Sequence, residues 1–301
     1  MGTVTIYFSL LALLAPLLVV MGVGTVWGRF GHEFPTPFIA VLCTSVTTPA
    51  LVFNTLVRTT VSNTIIANVA LATVLAIGLC LVAGAIALRL CRMPVREMMQ
   101  TVAFPNAGNL GLPITHLAFG DDGLSTSIAF FAVCSFMQHT IGVRTLPNVQ
   151  GMPAPWRSPV LIASLLAVAC RVTGYTPPAW IMDSAAMLGS LTVPLLLLSL
   201  GHALALIPRA GLQMGSVAGA LRLVLGLATG YAAGRLVGLP AEMVSNMTLQ
   251  MGMPCAAVSY LYARRYTDKG DVAAGAVLMS TVVFLVFAPA LLWLLGSPVA
   301  R

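Results

Sequence analysis

Residues 101–120 read TVAFPNAGNLGLPITHLAFG, and their reading decides the fold. The flanks are apolar enough to enter a bilayer, yet the middle holds Pro105, Asn106, Gly108, Asn109, Gly111 and Pro113. Each proline removes a backbone donor, and each glycine weakens a helix by about 1 kcal/mol relative to alanine. In hydrocarbon, interrupted backbone survives only where it is buried in protein or lines a water-filled cavity. The stretch therefore predicts a broken membrane helix beside a cavity at mid-depth.

The rest of the chain agrees with a membrane setting. Of its 301 residues 58% are hydrophobic and 8% charged, against about a quarter charged in soluble domains, and the mean hydropathy is +0.96. This composition predicts an all-α integral membrane protein. No polar stretch is long enough to make a soluble domain, and the N-terminal apolar run, without a basic leader, reads as the first span. The net charge of +7 is scattered over short loops, which suits membrane orientation rather than nucleic-acid binding. The six cysteines include no CxxC pair and read as small buried hydrophobes, with no metal or cofactor implied.

Hydropathy predicts ten spans, near 5–27, 37–57, 64–88, 98–119, 123–143, 159–174, 179–206, 214–237, 241–262 and 272–295. With that count, loops after odd-numbered spans carry ten basic residues, among them Arg89, Arg92, Arg96, Arg264 and Arg265, against four on the other side. Positive charge collects in the cytoplasm, so both termini are expected outside it. Arg222, inside the eighth span, is expected to snorkel towards the cytoplasm.

The halves resemble each other. GAIALRLCRMP (84–94) aligns with GYAAGRLVGLP (230–240) at an offset of 146, and TTPALVF (47–53) with TVPLLLL (192–198) at 145. This predicts two five-span repeats, 1–143 and 159–301, joined by a short linker at 144–158. An odd number of spans inverts the second copy, as in many secondary transporters. The broken fourth span then has a counterpart in the ninth, where Gln250, Gly252 and Pro254 lie near the middle. Half-helix N-termini carry partial positive charge and unpaired N–H groups, suited to a carboxylate. Asn106, Asn109 and Gln250 are candidate ligand contacts. His116, just past the break, is a further candidate, as are Thr48 beside Pro49 and Thr192 beside Pro194. Pro105, Gly108, Gly111, Pro113, Gly252 and Pro254 supply the broken backbone.

Other polar groups are weaker candidates. Asp183 reads as interfacial, and His139 and His202 as proton relays or core histidines. Gly226, Gly230, Gly234 and Gly238 lie at four-residue spacing and predict close helix packing.

At these motifs the sequence resembles the auxin efflux carrier family, which includes bacterial malonate and malate transport proteins. The resemblance rests on TTPALVF (47–53), FPNAGNLGLPI (104–114), LTVPLLLLSLGHAL (191–204) and the long segment 253–284 that begins MPCAAVSYLYARRYTDKG. It implies ten helices in two inverted repeats, with helices 4 and 9 crossing. Helices 1, 2, 6 and 7 would form a scaffold and 3–5 with 8–10 a moving bundle. It also implies organic-anion transport in the cytoplasmic membrane, near Pro105, Asn106, Asn109 and Pro254. The chain departs from the pattern at Gln250 and Gly252, where an asparagine beside the proline is expected. Coupling to H⁺ or Na⁺ and a homodimer are compatible with the sequence. A channel using the same cavity is the main rival. An enzyme is disfavoured because HExxH, GxSxG and paired intramembrane carboxylates are missing from the sequence.

Overall fold

The computed structural model describes residues 3–58, 63–147, 159–205 and 209–296. Residues 148–158, most of the expected linker, lie outside the described residues. The order begins with α1 (Thr3–Arg29) and α2 (Thr36–Leu42), then a π-helical turn at Cys43–Thr47 that runs into α3 (Thr48–Arg58). Next come α4 (Asn63–Leu90), α5 (Val95–Ala103), a second π turn at Ala107–Gly111 continuing into α6 (Leu112–Met137), and a third at Gln138–Gly142. The second half contains α7 (Pro159–Thr173), α8 (Ala179–Ser190), α9 (Thr192–Ala205), α10 (Arg209–Val237), α11 (Ala241–Met251), α12 (Ala257–Tyr266) and α13 (Gly270–Leu294). No strand occurs among the described residues; one isolated antiparallel bridge joins Pro105 and Cys255.

Six of these segments are long and apolar enough to cross a membrane: Thr36–Arg58, Ala67–Leu90, Asp122–Gly142, Ala179–Ser199, Gly211–Val237 and Gly270–Leu294. Leu18–Arg29 and Pro159–Thr173 are shorter apolar helices. The regions expected as the fourth and ninth spans are interrupted, and none of α5, α11 and α12 is long enough to span alone. α6 itself breaks at Gly120, whose φ of 66° lies in the left-handed region.

Proline explains the other interruptions. Pro194 has no N–H for the Ser190 carbonyl, and the region expected as one helix at 179–206 splits at Leu191 into α8 and α9. Pro49 likewise cannot serve the Ser45 carbonyl, and the π turn Cys43–Thr47 precedes it. Both prolines stand at matching places in the TTPALVF and TVPLLLL motifs.

Glycine sets the close contacts between long helices. A Cβ on Gly24 or Gly201 would strike the backbone of the facing helix, at Leu198 and Met21 respectively, which joins α1 to α9. A Cβ on Gly215 would lie 2.6 Å from the Ala276 nitrogen, where α10 meets α13. Gly226, Gly230 and Gly234 bring α10 against α11, as their spacing predicts. Gly238 departs from that row: it sits in open space with φ +76° and ends α10.

These contacts predict a specific asymmetry between glycines. Gly201→Leu must displace the Met21 carbonyl, costing about 1–3 kcal/mol or more. It should lower the thermal midpoint in detergent by several degrees, whereas Gly78→Ala, with nothing within 4 Å of the new methyl, should leave it unchanged or raised.

Candidate functional site

The site is built on two breaks that pair with each other. Pro105 and Cys255 stand opposite in an antiparallel bridge. The Asn106 N–H donates to the Pro254 carbonyl at 2.8 Å, and the Ala256 N–H donates to the Phe104 carbonyl at 3.2 Å. Each break thus supplies the partner that the other lost by leaving its helix. The remaining donor, the Cys255 N–H, goes to the Ser280 hydroxyl at 3.1 Å.

Diverting two of these donors, those of Asn106 and Cys255, frees one carbonyl each for another partner. In an unbroken helix the Asn106 N–H would bond the Val102 carbonyl, and the Cys255 N–H the Met251 carbonyl. Both are instead taken by one side chain, Arg222 from α10, whose Nη1 donates to Val102 at 2.8 Å and whose Nη2 donates to Met251. Arg222 is 0% exposed, so it does not snorkel as the sequence suggested. Two helix C-termini, each equivalent to roughly half a negative charge, offset its guanidinium. A buried arginine is tenable here because the two broken helices meet it end-on.

Around the breaks lies a cavity of about 50 Å³, lined by Pro105, Asn106, Gly108, Asn109, Thr48 and Thr192 together with Phe131, Cys134, Ser135, Gln138, His139 and Ala256–Val258. Six sequence candidates therefore share one wall. The Thr192 hydroxyl donates to the Thr47 hydroxyl at 2.9 Å, joining the two residues that the internal alignment matches. Asn106 and Asn109 also line a second, more apolar cavity of about 80 Å³, with Met21, Leu197, Val277 and Thr281.

Other candidates lie elsewhere. Gln250 is buried and donates from Nε2 to the Thr115 hydroxyl at 3.0 Å, and its amide fills the space a side chain at Gly111 would need. Neither cavity includes it, so its observed work is to bind α11 to α6. His116 is exposed on α6 and lines neither cavity. Pro113 stands in the first turn of α6, where its missing N–H costs little. Pro254 does not open its helix: it lies in the extended break and lends its carbonyl, while α12 starts at Ala257. Gly252 caps α11 beside the Leu227 side chain. Asp183 is paired with Arg58 at 3.2 Å at the exposed surface, and His202 stacks on Phe34.

Sequence reasoning missed Gln138, Ser135 and Thr47. Gln138 belongs to a closed polar ring. Gln100 Nε2 donates to the Gln138 carbonyl at 3.1 Å, Gln138 Nε2 to the Ser259 hydroxyl at 3.3 Å, and Ser259 to the Gln100 carbonyl at 3.1 Å. The run Gln138, His139, Thr140 in an otherwise apolar helix was the available signal.

The family model described as "Membrane transport protein" matches residues 9–155 and 152–293. The chain belongs to the membrane transport protein family. This is the auxin-efflux-type family that the motifs resembled, and with the apolar helices it makes the chain a multi-pass membrane protein. An uncharacterized transporter of Methanocaldococcus jannaschii is 25% identical over 204 residues, which cover 63% of this chain and 65% of that relative. The chain thus spans just under two thirds of that relative's length.

The two breaks should depend on Arg222 for holding them together. Arg222→Met leaves two buried carbonyls without donors, at about 1–3 kcal/mol each. The thermal midpoint in detergent should fall by several degrees. Arg222→Lys should fall between, because one ammonium lacks the fork that reaches both carbonyls.

Proposed function

We propose that the protein is a secondary transporter that moves a small organic anion across the cytoplasmic membrane by alternating access. In this reading the ten segments form two inverted five-span repeats, 1–143 and 159–301, with the interrupted fourth and ninth crossing and both termini outside the cytoplasm. The cavity shared by Asn106, Asn109, Thr48 and Thr192 is the observation that carries it. Two helices begin beside this cavity, one at Ala107 and one at Ala257, and the first-turn N–H groups of a helix have no partner within it. Such ends attract anions. The side-chain amides of Asn106 and Asn109 add donors for carboxylate oxygens, and no acidic side chain lines the cavity to repel one.

Alternating access is supported by where the bonds lie. Arg222, the backbone bridge and the Gln100–Gln138–Ser259 ring tie α5, α10, α11, α12 and the 138–142 turn to one another. Thr48 and Thr192 approach the cavity from a different group of helices, α3 and α9. At about 50 Å³ the cavity has room for a few waters. A carboxylate would require the two groups to part, which is the movement alternating access needs.

Counterflow in proteoliposomes tests the reading, with malonate, malate, pyruvate and indole-3-acetate as probes. Saturable counterflow of at least one is expected, and Asn109→Ala should weaken it about 10-fold or more, the loss of one hydrogen bond to a charged group, with little change in thermal midpoint. Flux that neither saturates nor exchanges would mark a channel instead, and an unaltered Asn109→Ala would remove the site.

A further inference from the structure

We propose that His139 is a proton-binding site linked to the anion cavity, so that an anion crosses together with a proton. The inference rests on the transporter reading above. His139 Nδ1 lies 2.7 Å from the Ser135 carbonyl. A carbonyl only accepts, so Nδ1 carries the hydrogen, and in the neutral ring Nε2 is left as a bare lone pair. That Nε2 is buried and has no hydrogen-bond partner, while the ring lines the same cavity as Asn106 and Asn109. A buried, unpaired acceptor is costly, and beside a carboxylate two lone pairs would face each other. Adding one proton to Nε2 resolves both conflicts: the acceptor becomes a donor, and the imidazolium charge offsets that of the anion.

The surroundings leave this task to His139. Tyr262 of α12 meets the ring edge-on at 5.8 Å between centroids, the Tyr262 and Tyr266 rings are 6.3 Å apart, and Arg265 is engaged over the Tyr266 ring at 5.2 Å. Cys134 shares the cavity wall. From α5, Arg96 is bonded to the Thr145 and Leu146 carbonyls, and Glu97 sits in the first turn of that helix. Among these groups only an imidazole changes charge near neutral pH at its ordinary value.

By linkage, an anion in the cavity raises the proton affinity of His139, and a proton there raises the affinity for the anion. Binding should therefore tighten as pH falls and level off once the ring is protonated. Proteoliposomes with a trapped pH dye supply the test, using pyruvate first because its carboxyl stays ionised near neutrality, then the other three probes. Wild-type uptake should acidify the lumen by about one proton per pyruvate and should be insensitive to an imposed K⁺ diffusion potential. In His139→Gln, whatever flux remains should carry no proton and should respond to that potential. Acidification that persists in His139→Gln, or a wild-type ratio near zero with counterflow intact, would overturn the coupling and leave the transporter reading standing. If His139→Gln carries no flux, the wild-type ratio decides. Lack of counterflow for all four anions would overturn both.

Discussion

The centre of this molecule depends on how two interrupted helices settle their backbone hydrogen bonds inside the protein. An unpaired peptide group in hydrocarbon costs several kcal/mol, so a pair of breaks must be closed by protein. Here they close on each other through the Pro105–Cys255 bridge, and Arg222 takes the Val102 and Met251 carbonyls that the breaks leave without a helical donor. The charge that makes Arg222 improbable inside a membrane is what lets it serve two helix ends at once. Any change to one break is felt by the other, because their bonds are shared.

That closure has a directional result. The negative ends of α5 and α11 are occupied by the guanidinium, while the segments starting at Ala107 and Ala257 leave their positive ends beside the cavity. Asn106 stands where these arrangements meet: its N–H completes the bridge and its residue lines both cavities. The glycines of α10 make this possible mechanically. A side chain at Gly226 would strike both the Arg222 guanidinium and the Met251 carbonyl, so the smallest residue stands next to the largest fully buried one.

Much of this was legible in the residues. The breaks, the membrane setting, the family and four side chains of the cavity wall, Asn106, Asn109, Thr48 and Thr192, follow from prolines, glycines and amides placed where apolar residues belong. Gln250 was legible as an unusual buried amide, but its partner, Thr115 on another helix, was not. His116 looked close to the site because it is close in sequence to the break. Helical geometry carries it to the exposed face of α6 instead. Gln138 and His139 reach the cavity through a π turn at 138–142, which changes which face of a helix a residue presents and leaves no clear sequence mark.

By itself, then, the sequence determined where the backbone cannot remain helical, because a proline lacks its donor in any surroundings. It determined also that such places must be sheltered, because the flanking residues commit them to lipid. Only the tertiary structure decided who does the sheltering. Arg222 lies 120 residues from Val102 and 29 from Met251, and no local pattern encodes that it meets both. The choice between snorkelling to the surface and capping two helix ends is made by which carbonyls lie within reach, a property of the packed helices rather than of the residue.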